Sequence, residues 1–72
     1  MKNESVKKFG ENVRRLRLKR KFSQEKLAES TDSHPTYISL LETGKRSAAV
    51  VKILKIASAL NCRVSELFKG LE

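Results

Sequence analysis

Hydroxyl and cationic groups gather in one short stretch, and their chemistry is recognition rather than bond breaking. Thr36, Tyr37 and Ser39 fall within four positions, just after His34 and Pro35, and Lys45–Arg46 follow. Hydroxyls donate and accept single hydrogen bonds. A guanidinium can clasp a guanine edge with two N–H groups or pair with a phosphate, so Arg46 is a candidate for either partner. Lys45 suits a phosphate. Tyr37 reads as a half-buried packing residue whose hydroxyl reaches a phosphate, and His34 as either a helix cap or a contact. Catalysis is poorly served. The chain has one His, one Cys, no clustered Asp/Glu/His set and no glycine-rich phosphate loop, so no enzyme is expected. His34 and Cys62 together fall short of the roughly four ligands of a structural zinc site, and no metal or cofactor is expected.

The bulk charge agrees with an anionic partner. Sixteen Lys and Arg against eight Asp and Glu leave a net charge of +8 over 72 residues. That balance favours nucleic acid or an acidic membrane surface. The membrane is the weaker choice. The chain has no Trp, its apolar stripes are cut by caps and turns, and its longest apolar run is Ala48–Val51. The N-terminus, Met1–Ser5, is polar and lacks an apolar signal core. A cytoplasmic protein is expected, and one unpaired cysteine fits that compartment.

Elements that hold the polar stretch can be placed from periodicity. Apolar residues recur at helical spacing and nowhere alternate as in a strand, so the chain reads as all-α, with five helices in a single domain spanning 1–72. The first helix runs from about Ser5, its cap, to Arg20, with Val6, Phe9, Val13 and Leu16 inward. Its opposite face carries Lys7, Lys8, Arg14, Arg15 and Arg17. The second follows a Ser23 cap, has Glu25 in its first turn, buries Leu27 and Ala28, and ends near Thr31. The third starts at Pro35, which needs no N–H there, has His34 or Ser33 as cap, and stops at Gly44. The fourth starts after Ser47 and runs to Leu60, with Val50, Ile53, Ala57 and Leu60 as its core stripe, Ile56 and Leu54 beside it, and Asn61 closing it. The fifth is short, from about Ser65 to Lys69. Loose segments are expected only at the termini.

The second and third helices are too short to persist alone, so the others must brace them. Bracing leaves the third with Thr36, Tyr37 and Ser39 outward. A helix with that face fits a major groove about 12 Å wide. Both N-termini can then meet phosphates.

Ser23–Ala28, Thr36–Ser39 and Leu41–Arg46, continued by Leu54–Asn61 and Val64–Phe68, resemble the Cro/phage-repressor-like helix-turn-helix family, often called Xre-type. The resemblance covers about residues 9–68, and within the family it is nearest to the controller proteins of restriction–modification systems. It implies a compact five-helix, lambda-repressor-like DNA-binding domain, with the helix-turn-helix at about 23–43. It implies a sequence-specific regulator of transcription that controls its own operon and binds duplex DNA as a dimer. Residue by residue, it implies that Gln24 bonds phosphate and braces the third helix. Pro35 and Thr36 fall on base-reading positions. Tyr37 and Ser39 lie near backbone or base edges, and Lys45 and Arg46 contact backbone or groove. Glu42 is engaged structurally near Arg17. Some residues depart from the pattern. Lys21 and Asp32 stand where glycines are usual. Ser33 replaces an aliphatic, and Pro35 a longer side chain that could bond a base. Readout then leans on Thr36, Arg46 and His34, with a share for DNA shape.

Val51, Leu54, Phe68 and Leu71 are apolar residues left over from the stripes, and they read as a dimer seam. Glu25 and Glu29 are the acidic residues available to touch RNA polymerase. Related readings are an Xre-type antitoxin or a phage-type repressor. A protein-interaction module that uses the fold without DNA is the reading from another class, and the charge speaks against it.

Overall fold

The computed structural model describes residues 3–71. The expectation of loose ends at residues 1–2 and 72 lies outside them. Five helices follow in order: α1 (Asn3–Lys19), α2 (Gln24–Ser30), α3 (Pro35–Glu42), α4 (Val50–Ala59) and α5 (Val64–Leu67). Among the described residues there is no strand.

The N-terminal signals act as short-range chemistry dictates. Ser23 Oγ accepts from Lys26 N at 2.9 Å and starts α2. His34, not Ser33, caps α3: its Nδ1 accepts from Thr36 N at 3.2 Å. Pro35 occupies the first turn, where its missing N–H costs nothing. Three starts differ from expectation. α1 already begins at Asn3, so Ser5 lies inside its first turn instead of capping it. α4 begins at Val50 behind Ala49, with no side-chain cap, so Ser47 does not start it. Between them, Ala48 packs against the core and draws the chain past Ser47 before the helix can form. α5 begins one residue early, at Val64, where the Glu66 carboxylate accepts from Arg63 N at 3.3 Å.

The first four helices share one ending. After each, a residue at positive φ reverses the chain: Lys21 (61°), Asp32 (55°), Gly44 (75°) and Asn61 (52°). The next amide then reaches back to the helix, as in Phe22 N to Arg17 O at 3.0 Å, Ser33 N to Ala28 O at 2.8 Å, Lys45 N to Leu40 O at 2.9 Å and Cys62 N to Ala57 O at 3.0 Å. This is the Schellman closure, which pairs carbonyls the helix end leaves free. Three of the four left-handed positions hold residues other than glycine. Asn and Asp tolerate that geometry, whereas Lys21 does not gain from it.

α3 lies against both α1 and α2, and α4 and α5 close the other side. The core comprises Phe9, Val13, Leu16, Leu27, Ala28, Ile38, Leu41, Ile56, Ala57, Leu60 and Leu67. α1 and α3 approach most closely at Gly10, where a Cβ would stand 1.9 Å from Leu41 O. Only a residue without a side chain fits. Asn12 interrupts the apolar stripe of α1 and is buried, because its Nδ2 donates to Leu67 O (2.9 Å) and Lys69 O (3.0 Å) and so terminates α5.

Two side-chain placements reverse the expectation. Arg17 leaves the solvated face that periodicity gave it and is buried against the Glu42 carboxylate, the neighbour that the family resemblance implied. Val50 is 73% exposed, while Ile56 is fully buried. The stripe that α4 turns inward is Ile53, Ile56, Ala57 and Leu60, at i, i+3, i+4 and i+7.

Candidate nucleic-acid interface

A buried hydrogen-bonded cluster joins the three helices that hold the polar stretch. Arg17 Nε donates to Glu42 Oε2 at 2.6 Å, and Arg17 Nη2 to Glu42 Oε1 at 3.0 Å. Arg17 Nη1 donates to Phe22 O at 2.7 Å, which ties the end of α1 to the start of α2. Gln24 Nε2 donates to Glu42 Oε1 at 3.1 Å. Planar guanidinium and carboxylate match edge to edge, which fixes orientation as well as energy. α3 is thus clamped at its C-terminal end by α1 and by the first residue of α2. Gln24 braces α3 as expected, and its amide keeps a second N–H for another acceptor.

The joint between α2 and α3 is held by polar contacts in place of the missing aliphatic. Thr31 is fully buried; its Oγ1 donates to Leu27 O at 2.8 Å and lies 3.0 Å from the Ser33 hydroxyl. Lys52, from α4, donates to Thr31 O at 2.7 Å and Asp32 O at 3.3 Å, a cation placed at the negative end of α2. Lys55 pairs with Asp32 at 3.3 Å on the surface.

With Ile38, Leu41 and Glu42 turned inward, α3 presents Thr36, Ser39, Leu40 and Thr43 on the opposite side. Thr36 and Thr43 are exposed, Ser39 half-buried. Thr43 was missed as a site candidate. Its place at i+7 from Thr36 is the signal that could have found it. Thr43 Oγ1 donates to Ser39 O at 2.9 Å, so its hydroxyl lies along the helix end. Pro35 is half-buried and His34 exposed, with Nδ1 already engaged in the cap. Tyr37 is half-buried at the border of the face, beside the loop that follows α3. In that loop Lys45 and Arg46 are exposed, and Arg46 Cζ lies 5.2 Å from the Tyr37 ring centroid. Polar α3 groups, Gln24 and the two loop cations therefore gather around α2 and α3, and no enclosed catalytic constellation is among them. Among the described residues, no cluster of His, Cys, Asp and Glu could hold a metal ion.

The family model for helix-turn-helix proteins matches residues 13–67. The chain belongs to the helix-turn-helix family. The Xre-type resemblance read over about residues 9–68 stands, and members of this family regulate genes by binding DNA and are not enzymes. The control protein C.MunI of Mycoplasma sp is 38% identical over 71 residues, covering 97% of this chain and 96% of its own. The control protein C.BamHI of Bacillus amyloliquefaciens is 47% identical over 60 residues, covering 82% and 74%. Among solved structures, the restriction–modification controller protein C.AhdI from Aeromonas hydrophila superposes with a TM-score of 0.87 at 38% identity, covering 90% of this chain and 98% of that one. The five-helix, all-α architecture expected from periodicity is the one this neighbour shares.

The leftover apolar residues divide. Val51 (65%) and Leu54 (54%) are exposed on α4, and Val50 joins them at i, i+1 and i+4. Phe68 (38%) keeps one side in contact with Phe9, ring centroids 5.3 Å apart. Leu71 is half-buried against the protein's own core, so most of it is spent within the chain. Val64, which periodicity did not single out, is exposed as well. Cys62 is half-buried, and burial, then the Glu66 carboxylate, push its thiol up. A protonated thiol is a poor nucleophile, so Cys62 reads as packing. No helix among the described residues is long and apolar enough to cross a membrane.

Proposed function

We propose that this chain is a restriction–modification controller protein: a sequence-specific regulator of transcription that binds a palindromic operator upstream of its own gene as a homodimer. One observation supports this above the others. The polar face of α3 is exposed while the opposite face is clamped by Arg17, Glu42 and Gln24, with Lys45 and Arg46 beside it. A clamped helix with small polar groups outward can enter a major groove, and flanking cations neutralise phosphates. Thr36, Ser39 and Arg46 face base edges in this reading. Gln24, Tyr37 and Lys45 meet the backbone, and His34 and Pro35 set the start of the helix at the groove. Val51 and Leu54, with Val50 and Phe68, form the seam between protomers, which spaces the two α3 helices about 34 Å apart. Exposed Glu25 and Glu29, one turn apart on α2, supply the acidic surface for RNA polymerase. The names and fold of the control proteins above support the same role.

The test is binding to DNA upstream of the protein's own gene, against scrambled DNA of equal length, over a salt series. Specific binding about 10³-fold or more tighter than the scramble at physiological salt, reduced about tenfold or more by Thr36→Ala and by Arg46→Ala, is the expected result. Equal, salt-sensitive binding to both DNAs would overturn the autoregulatory reading. No binding even at low salt would instead favour a protein-interaction module.

A further inference from the structure

Arg46 is an exposed side chain in a loop, yet the fold gives it a seat. Its Cζ lies 5.2 Å from the centroid of the Tyr37 ring. The ion pairs among the described residues, Arg17–Glu42 and Lys55–Asp32, leave Arg46 out. The ring itself is well anchored. Tyr37 is half-buried against the core, and Lys52 Nζ lies 5.8 Å from the same centroid while bonded to the carbonyls that end α2. A ring face carries negative potential and attracts a guanidinium laid over it. A guanidinium held over a ring keeps N–H groups free to donate to a second partner. A side chain held that way gives up less freedom on binding than one that must be caught from solution.

We propose that Tyr37 is a positioning residue, whose ring holds the Arg46 guanidinium ready for duplex DNA while Lys52 fixes the ring from α4. This rests on the reading of Arg46 as a DNA contact. It assigns the ring of Tyr37, rather than its hydroxyl, the larger part in recognition.

The experiment has two readouts, one of which needs no DNA. In the free protein, the Arg46 side-chain protons should be shifted upfield in the NMR spectrum by the Tyr37 ring. They should stay so in Tyr37→Phe and lose the shift in Tyr37→Leu. With DNA, Tyr37→Phe should keep the specific-to-scrambled ratio within about twofold, and Tyr37→Leu should lower it about 2- to 5-fold, as expected of an exposed cation–ring contact. In an Arg46→Ala background, Tyr37→Leu should cost nothing further. Arg46→Lys leaves the core untouched, keeps the charge and loses the planar fork, so it should also lower the ratio, even if Tyr37→Leu folds poorly. Equal losses in Tyr37→Phe and Tyr37→Leu, or losses that add to that of Arg46→Ala, would overturn the proposal in favour of a direct hydroxyl contact. Unshifted Arg46 protons in the free wild-type protein overturn it whatever the DNA result. A wild-type protein with the shift but no preference for the upstream DNA overturns the DNA role and the purpose assigned to the stack, while the stack itself stands.

Discussion

Arg17 and Glu42 meet at 2.6 Å inside the protein, with side-chain exposures of only 8% and 2%. They lie 25 residues apart and lock α1 to the far end of α3. Removing one partner strands the other charge away from water. Glu42→Gln should therefore destabilise the fold by roughly 3–5 kcal/mol. That is a large share of the ~5–15 kcal/mol that holds a typical domain together. Replacing both residues by apolar ones, Arg17→Met with Glu42→Leu, should be less damaging than either single change. Urea unfolding of the three variants checks the order.

Gly10 is the contact point of α1 and α3. A methyl group there meets the Leu41 carbonyl oxygen, which belongs to backbone and cannot swing aside. Gly10→Ala raises helix propensity but should still destabilise, by about 1–3 kcal/mol, because overpacking forces the helices apart. A thermal melt would show a midpoint lower by several degrees. A higher midpoint would mean that the helices separate at little cost.

Lys21 ends α1 with a φ of 61°, a conformation with no benefit from its side chain. Lys21→Gly removes the Cβ strain there, although it loosens the unfolded chain. The net expected gain is about 0.5–1 kcal/mol, read as a rise in the denaturation midpoint. The same change at Gly10's neighbours within α1 would cost stability, so the gain is specific to the helix end.

Cys62 is held in its protonated form by burial and by Glu66. Its alkylation by iodoacetamide should rise with pH through a midpoint above that of an ordinary thiol, and Glu66→Gln should lower that midpoint. The sign for stability follows. The folded protein keeps the thiol proton to higher pH than the unfolded chain does. The contribution is intact below the unfolded thiol's pKa and is lost as alkaline pH rises through the folded one.

Leu54, exposed on α4 beside Val50 and Val51, should be central to the proposed seam. Leu54→Glu should halve the mass seen by sedimentation and weaken operator binding, while circular dichroism stays helical. A wild-type protein that sediments as a monomer at operator-binding concentrations would sink the seam.

The local signals did most of what the sequence alone determined. Ser23, Pro35 and Gly44 marked helix ends because caps and turns depend on a few neighbouring atoms. The stripe Phe9–Val13–Leu16 marked the buried side of α1 because α1 has one apolar face. The polar face of α3 was legible for the same reason, and the residues quoted for the family resemblance placed the chain in its class. Tertiary structure decided what local pattern leaves degenerate. The charge pattern of α1 put Arg17 among the solvated cations, and only the family resemblance set Glu42 near it; the fold brings that distant carboxylate in to offset the burial of Arg17. α4 is apolar on two sides, and only packing against its neighbours sent Ile56 inward and left Val50 and Leu54 out. Tyr37, Arg46 and Lys52 come from three separate segments, so no spacing rule joins them. Their meeting depends on where α4 docks, and docking is settled by the summed burial of the whole core rather than by any residue's own preference.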